Sequence, residues 1–411
     1  MAGKLLPTTR AQVSGHKFLR RRVEHGLIFG DIRMIHDPLA SRRRAAVLGL
    51  VATVLIAAVA GLLAWLNPNA DPGDAPVVRS SQGALFVRVD GTLHPVTNLA
   101  SARLVAGAPE IPARIGDETL ANTARGVPVG IDTAPQFFAG EYSASAAWAV
   151  CQVDEKITVF AGPKVAVLGD DHGIVARVDD AEWLVTATGR AVLPSATDPE
   201  GRAIRRALGI TPETPRWEPA GAVLSVLHER PPIALPQPVP EVLKTPNGSW
   251  ALYPSGGVQA LTDAQSDVLV AAGAGQREVS GGELAAYPDA RDQGPLTLPE
   301  TIPQFIDPGA EEVCATSEGF GAVGSSTSAE MELSGDSVAT HLRGLADGAV
   351  GVDTGHGFHV VSESGIRHEV TGSDTFQVLG VQRVDAVAWP LLRLLPEGPA
   401  LTHDAALKAT Y

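Results

Sequence analysis

Beyond residue 66 the chain is poor in basic side chains. Residues 67–411 hold 22 Lys/Arg against 43 Asp/Glu, a net of −21. A nucleic-acid-binding domain shows the opposite, a basic face matched to phosphates, so that class of partner is excluded. Cysteine is almost absent: Cys151 and Cys314 are the only two in 411 residues, and two distant thiols do not complete a zinc ligand set. No G-x-x-x-x-G-K-[ST] run is present to cradle phosphates, and neither G-x-S-x-G nor H-E-x-x-H occurs. No cofactor and no catalytic constellation are expected. Charge of either sign is missing altogether from residues 45–66.

That uncharged run, AAVLGLVATVLIAAVAGLLAWL, has 22 residues. At about 1.5 Å per residue it spans roughly 33 Å as a helix, enough for a hydrocarbon core of about 30 Å. A cleaved signal peptide would have an apolar stretch of only about 7–15 residues behind a short basic leader. Here the leader has 44 residues, with ten Lys/Arg and three Asp/Glu, or +7. The formal charge of −14 is therefore an average over two very different regions. Arg42, Arg43 and Arg44 abut the run on one side, while Asp71 and Asp74 are the first charges on the other. The positive-inside rule then places residues 1–44 in the cytoplasm and residues 67–411 outside, with Trp65 as an interfacial anchor. A single-pass, uncleaved membrane protein is expected, spanning the bilayer with residues 45–66.

Within the leader, Phe18, Leu19, Val23 and Leu27 recur at helical spacing across Ser14–Ile28, interleaved with Lys17, Arg20, Arg21, Arg22 and Glu24. This is an amphipathic pattern with a modest apolar stripe. Asp37-Pro38 is expected to end or bend the segment. The residues themselves leave three roles open: a helix on an anionic lipid surface, a docking helix for a cytosolic partner, or a topology signal alone.

The body has room for two or three domains. Pro and Gly supply 66 of its 345 residues, more than in an average domain and fewer than in a disordered chain. A folded, turn-rich α+β body, mostly β, is expected. His228–Gly248 holds six prolines and reads as a stiff extended linker dividing the body near its middle. Four segments share a ββα plan: Leu85–Thr97, Trp183–Pro194, Trp250–Thr262 and Phe358–Thr371, turning at Gly91, Gly189, Gly256 and Gly365. Glycine supplies the positive φ of tight hairpins. Asp198-Pro199 opens a helix that closes at Gly209, and Thr262 with Gln265 makes a capping box.

The turn glycines are 98 residues apart in the first pair, 67 in the middle and 109 in the second pair. Uneven periods argue against a solenoid and suggest two similar halves around a pseudo-twofold axis. Cys151 follows Gly91 by 60 residues and Cys314 follows Gly256 by 58, which would put both near that axis as one bridge. An extracytoplasmic location favours a disulfide over a reactive thiol.

Other chemical-looking runs read as structure. Gly319-x-Gly321-x-x-Gly324 matches a dinucleotide fingerprint by letter but reads as a flexible loop, since Ser325–Ser328 follows where a helix should begin. His356 and His359, with His341 and His368 nearby, straddle a hairpin whose alternation would spread them over two faces. Asp170-Asp171-His172-Gly173 reads as a charged turn, and Asn247-Gly248-Ser249 as a turn before it reads as a glycosylation sequon.

The run Thr9-Arg10-x-Gln12-Val13-Ser14-Gly15-x-x-Phe18-Leu19-x-Arg21-Arg22-x-Glu24, then Asp31-x-Arg33-Met34 and Asp37-Pro38, resembles the cytosolic leader of EccB, the B component of the actinobacterial type VII (ESX) secretion membrane complex. Further along, the run from Gly91 through Leu93-His94-Pro95 to Leu104, the surroundings of Cys151 and Cys314, and Pro390–Leu401 are also similar to that family. Many family members carry a longer Pro-rich tail after the segment that here stops at Tyr411. The resemblance implies four repeat domains around a central β domain in a pseudo-twofold body. The expected order is a cytosolic arm (1–44), membrane helix (45–66), first repeat (67–110), first central segment (111–180), second repeat (181–212), Pro-rich connection (213–248), third repeat (249–280), second central segment (281–350), fourth repeat (351–382) and closing segment (383–411). It implies as partners the FtsK/SpoIIIE-type ATPase, the multi-spanning D component, the E component, the mycosin protease and further copies of the chain, with Phe18, Leu19, Arg21, Arg22, Val23 and Leu27 as the docking helix. A structural and assembly subunit is the expected function. The alternatives are a peptidoglycan-binding anchor, because the repeats resemble wall-binding folds of phage lysins, and an ATP hydrolase, because some family names include ATPase.

Overall fold

The computed structural model describes residues 9–30, 32–33, 38–66, 70–140, 145–162, 166–169, 171–291, 293–310, 312–322 and 330–411. Asp31, Met34, Asp37, Asp170, Gly324 and Ser325–Ser328, and the side chain of Trp65, lie outside the described residues. The chain divides into two units, Met1–Asp71 and Pro72–Tyr411.

The first unit is helical. α1 (Arg10–Phe29) starts before the expected Ser14 because Thr9 and Gln12 form a capping box, and it stops at Gly30, whose φ is 68°. The stop is therefore the left-handed glycine, which closes a helix without Cβ strain. Pro38 does not end or bend a helical segment, as its sequence context suggests; it opens α2 (Pro38–Leu66), where its missing N–H costs nothing. Within α2, Ser41–Leu63 has a mean hydropathy of 2.7, long and apolar enough to cross a membrane.

The second unit is a mixed α+β body with several sheets. It opens with β1 (Val77–Arg79), β2 (Leu85–Val89), β3 (Thr92–Val96), α3 (Leu99–Ala106), β4 (Ala113–Arg114) and α4 (Asp117–Asn122). Next come β5 (Ala147–Val153), β6 (Lys156–Gly162) and β7 (Ala166–Val167) of a central sheet. A second outer sheet follows with β8 (His172–Val178), β9 (Ala181–Thr186), β10 (Gly189–Val192), α5 (Pro199–Ala207), β11 (Arg216–Trp217) and α6 (Gly221–Leu224). The third comprises β12 (Glu241–Thr245), β13 (Gly248–Leu252), β14 (Val258–Leu261), α7 (Asp263–Ala271), β15 (Gln276–Glu278) and α8 (Gly281–Leu284). β16 (Gln304–Phe305) pairs with β8, and the chain returns to the centre as β17 (Val313–Thr316), β18 (Gly319–Ala322), β19 (Glu330–Glu332) and β20 (His341–Gly344). The fourth outer sheet has β21 (Val350–Asp353), β22 (Phe358–Val361), β23 (Arg367–Val370), α9 (Ser373–Leu379), β24 (Val384–Ala386) and α10 (Trp389–Leu392), and α11 (His403–Ala406) is the last element.

The outer sheets share one strand order: β3-β2-β1-β4, β10-β9-β8-β11, β14-β13-β12-β15 and β23-β22-β21-β24. In each, three strands form an antiparallel meander and the fourth lies parallel to the first. Each element is thus larger than the expected ββα unit. β4 and α4 lie inside the stretch assigned to the first central segment (111–180), as does β8. β11 and α6 fall inside the Pro-rich connection (213–248), α8 inside the second central segment (281–350), and β24 and α10 inside the closing segment. The physical reason is the parallel fourth strand, which can pair only after the helix has carried the chain back along the sheet.

The Pro-rich stretch is not a spacer. Ile233 and Leu235 are buried, and Glu241–Thr245 is already β12. They join one core with Val175, Leu184, Ile204 and Leu208 from the second sheet and Val242, Val268 and Leu269 from the third. The expected division at mid-body is therefore a packed seam. A similar core joins the first and fourth sheets, with Ala100, Leu104 and Ile131 against Val360, Phe376, Leu379, Leu401 and Ala406.

Candidate functional site

The centre of the body is a seven-stranded sheet of order β19-β20-β6-β5-β17-β18-β7. Its inner strands read AWAVCQV and VCAT, apolar on both faces, as strands buried on both sides must be; every residue of VCAT is buried. β5 and β17 run antiparallel with Cys151 directly opposite Cys314. The two are disulfide-bonded, with Cα atoms 4.0 Å apart and a sequence separation of 163, and both are buried among Ala149 and Phe160. The chain halves also interlock without the bond. β7, from the first half, pairs with β18 of the second, while β20, from the second half, pairs with β6 of the first.

Thr158 stands opposite Cys151 on β6 and donates its hydroxyl to Glu330 Oε1 at 3.0 Å. Lys156 Nζ meets Glu330 Oε2 at 2.6 Å, and Arg343 Nη2 approaches Oε1 at 3.5 Å. The Lys156 bond, more than any other influence, holds the Glu330 carboxyl below the usual carboxylate range. β19 is thereby fastened to the central strands by charge as well as by pairing. On the other side, Trp148 Nε1 donates to Asp385 Oδ2 at 3.0 Å, and Arg383 holds the same buried carboxylate in a two-pronged contact. This bond ties the central sheet to the fourth one across 237 residues of sequence. No local pattern in the sequence signals it.

The turn glycines take the places their spacing implies, with one shift. Gly91 (φ 79°) follows Asp90 (φ 48°) between β2 and β3, while Gly256 (φ 84°) and Gly365 (φ 80°) close the third and fourth hairpins. Gly189 is the first residue of β10 rather than part of the turn, which is Ala187-Thr188. Its φ of 126° and the closeness of the His228 carbonyl leave no room for a side chain.

The remaining sequence candidates do not converge. Gly319 and Gly321 lie in β18, paired with β17, so the expected loop is a strand on the disulfide's own sheet. His172 and Gly173 begin β8 rather than complete a turn. His341, His359 and His368 sit on separate strands, with His356 in a turn. Among the described residues no three His, Cys, Asp or Glu side chains group to hold a metal ion.

In the first unit, α1 leaves its apolar residues uncovered: Phe18, Leu19, Val23 and Leu27 are 54–82% exposed. Arg21 and Arg22 are exposed on the same helix, and Arg20 pairs with Glu24 at 3.0 Å. A capped helix with an open apolar stripe and basic neighbours can bind an apolar groove with acidic edges.

These features define a class: a disulfide-stapled, multi-sheet scaffold in a chain that also carries, among the described residues, one helix apolar enough to cross a membrane. The family model described as "Type VII secretion system ESX-1, transport TM domain B" matches residues 5–251 and 252–410. The chain belongs to this family, EccB, the one its leader resembles, and is a core membrane-complex subunit of type VII secretion. The "ESX-1 secretion system ATPase EccB1" of Mycobacterium tuberculosis is 28% identical over 97% of this chain and 94% of its own length. The "ESX-3 secretion system ATPase EccB3" of Mycolicibacterium smegmatis is 31% identical over 63% of this chain and 52% of its own. Among solved structures, a chain of an intact ESX-5 inner membrane complex aligns with a TM-score of 0.65 at 24% identity, covering 100% of this chain and 97% of that one. A chain of the EccB3 dimer from the ESX-3 core complex aligns at 0.65 and 21% identity, covering 81% and 100%. Both likenesses are of fold.

Proposed function

We propose that this chain builds and holds together its secretion complex without carrying out chemistry of its own. The observation that supports this most is the open apolar stripe of α1 beside Arg21 and Arg22. Left in water, four large apolar side chains forgo about 1.5–3 kcal/mol each of burial, a cost that a partner's groove removes. In this reading residues 1–44 are cytosolic and the body lies outside the membrane, with Arg42, Arg43 and Arg44 retaining the inner end of α2. The arm docks the FtsK/SpoIIIE-type ATPase and the multi-spanning D component. The body, two similar halves joined at Cys151–Cys314, meets the E component, the mycosin protease and further copies of the chain. The similar solved chains come from an ESX-5 inner membrane complex and an EccB3 dimer, which agrees with a role in assembly.

Deleting residues 1–40 separates docking from anchoring. The truncated chain is expected to insert in the membrane and lose copurification with the ATPase, and normal copurification would refute the docking role. The name "ATPase" carried by the relatives gives a specific alternative. Pure full-length chain hydrolysing ATP, with the activity abolished by a point substitution in the body, would establish it.

A further inference from the structure

A cavity of about 540 Å³ opens at the edge of the second sheet, between the β9–β10 hairpin, the Arg230–Ile233 stretch and residues 295–301. It lies apart from the disulfide, and Leu184 and Ile233 reach it from the core shared by the second and third sheets. Its floor is apolar, built from Leu184, Ile233 and Leu296, and its rim carries Thr186, Thr188 and two exposed charges, Arg230 and Glu300. Pockets of about 300–1,000 Å³ with an apolar floor and a few convergent polar groups are where small ligands bind.

Arg230 gives the ligand its chemistry. Its backbone is fixed on β10 by the bond from its N–H to the Arg190 carbonyl, 2.8 Å. Its guanidinium reaches the cavity rim and donates to Thr188 Oγ1 at 2.5 Å. Around this sheet Arg177, Arg190, Arg205 and Arg216 each face a carboxylate, while Arg202 on α5 bonds the Thr197 carbonyl instead. Arg230 makes no ion pair among the described residues, not even with Glu300 on the same rim, although the body holds nearly twice as many acids as bases. A planar guanidinium with free donors is matched by a carboxylate, which it can hold through two parallel bonds. The hydroxyls of Thr186 and Thr188 stand next to it, 3.1 Å apart.

We propose that this cavity binds a small ligand with an apolar body and one carboxylate, the carboxylate on Arg230 and the apolar part over Leu184, Ile233 and Leu296. The site is independent of the docking arm, so its failure and the failure of the assembly role are separate results. The test uses the full chain in lipid nanodiscs and saturation-transfer NMR, with N-acetyl-leucine and its uncharged amide as probes and empty nanodiscs as reference. The acid is expected to show roughly ten-fold more transfer than the amide, in line with a charge-assisted bidentate contact. Arg230→Gln should abolish that preference and Arg230→Lys should keep part of it. Ala191→Leu, which fills the cavity from β10, should reduce transfer to both probes. Equal transfer from acid and amide, a preference that survives Arg230→Gln, or no transfer above empty nanodiscs would overturn the proposal.

Discussion

The body has two helix-lined seams, and they are made differently. Between the second and third sheets, α5 packs on α7, and Ile204, Leu208, Val268 and Leu269 are completely buried. Chain continuity through the Pro-rich stretch keeps these sheets close in sequence. Between the first and fourth sheets, α3 packs on α9 and α11, joining residues near opposite ends of the body. Polar clasps reinforce this second seam. Arg103 Nη1 donates to the Leu379 carbonyl at 2.5 Å, and His368 contacts the carbonyls of Pro399 and Thr133 at 2.8 and 2.9 Å. The last residues bond back to the segment after the first sheet, Gly130 N–H to Lys408 O and Thr410 N–H to Pro128 O, both 3.2 Å. The second–third seam has a polar contact of its own, Ala234 and Thr297 exchanging two hydrogen bonds at 3.2 Å, while the seam that closes a long loop must offset more chain entropy and adds the bonds of Arg103, His368 and the last residues.

Removing residues 401–411 should break this contrast most visibly. It deletes Leu401 and Ala406, both fully buried in the first–fourth seam, together with α11. A loss on the order of 5 kcal/mol is expected from two emptied core positions and their helix. By hydrogen exchange, α3 and α9 should lose protection while α5 and α7 keep theirs. Comparable loss in all four helices would mean the seams are not separate. Leu269→Ala is the converse experiment, with an expected cost of about 2–5 kcal/mol read by denaturant unfolding and localised by exchange to α5 and α7.

The caps, turns and apolar run are legible in the sequence because each is set by residues within a few positions of one another. Thr262 and Gln265 make the expected capping box, and Asp198-Pro199 opens α5. Pairing between distant segments is not legible. The opening strands β1 and β12 are short, and nothing next to them shows that β4 or β15 will return to lie alongside. Proline content makes residues 228–248 look like a linker, while the two side chains that matter, Ile233 and Leu235, are buried by the arrival of α5 and α7. At the disulfide the spacing of both cysteines from their turn glycines carries the pairing. The salt links of Glu330 and the Trp148–Asp385 bond have no such marker.

Substituting both Cys151 and Cys314 with serine should affect the seams equally, because the bond ties the halves and not one pair of sheets. The chain-entropy model gives roughly 5 kcal/mol for a loop this long, and about 2–4 is the usual outcome, measurable as a shift in unfolding midpoint. A loss confined to one seam would contradict the role of the central sheet as a common axis.

Acidification should distinguish the seams more gently. Burial lowers the pKa of His368, against the opposing pull of the Pro399 and Thr133 carbonyls and Glu363. Burial likewise lowers that of His359, with Arg367 adding to it and Glu369 and Glu397 opposing. A histidine whose folded pKa lies below its unfolded value binds fewer protons when folded. Its stability contribution is therefore intact above about pH 6.5 and lost as pH falls from there toward the folded pKa, by at most about 1.4 kcal/mol per pH unit for each ring. Exchange in α9 and α3 should quicken between pH 6.5 and 5 ahead of that in α5 and α7, and His368→Asn should flatten the difference. The smallest effect belongs to the arm. Thr9→Ala removes the capping box of α1 and should cost about 1 kcal/mol, visible as lost helicity in the arm with both seams unchanged.

The central claim is that this chain assembles a secretion complex. Its most direct test is to tag the full chain at its natural level, extract native membranes in mild detergent and identify what is held in stable proportion. The account predicts a large membrane particle containing several copies of this chain with the FtsK/SpoIIIE-type ATPase and the multi-spanning D component. Recovery of the intact chain alone, or in a particle lacking both, would contradict it.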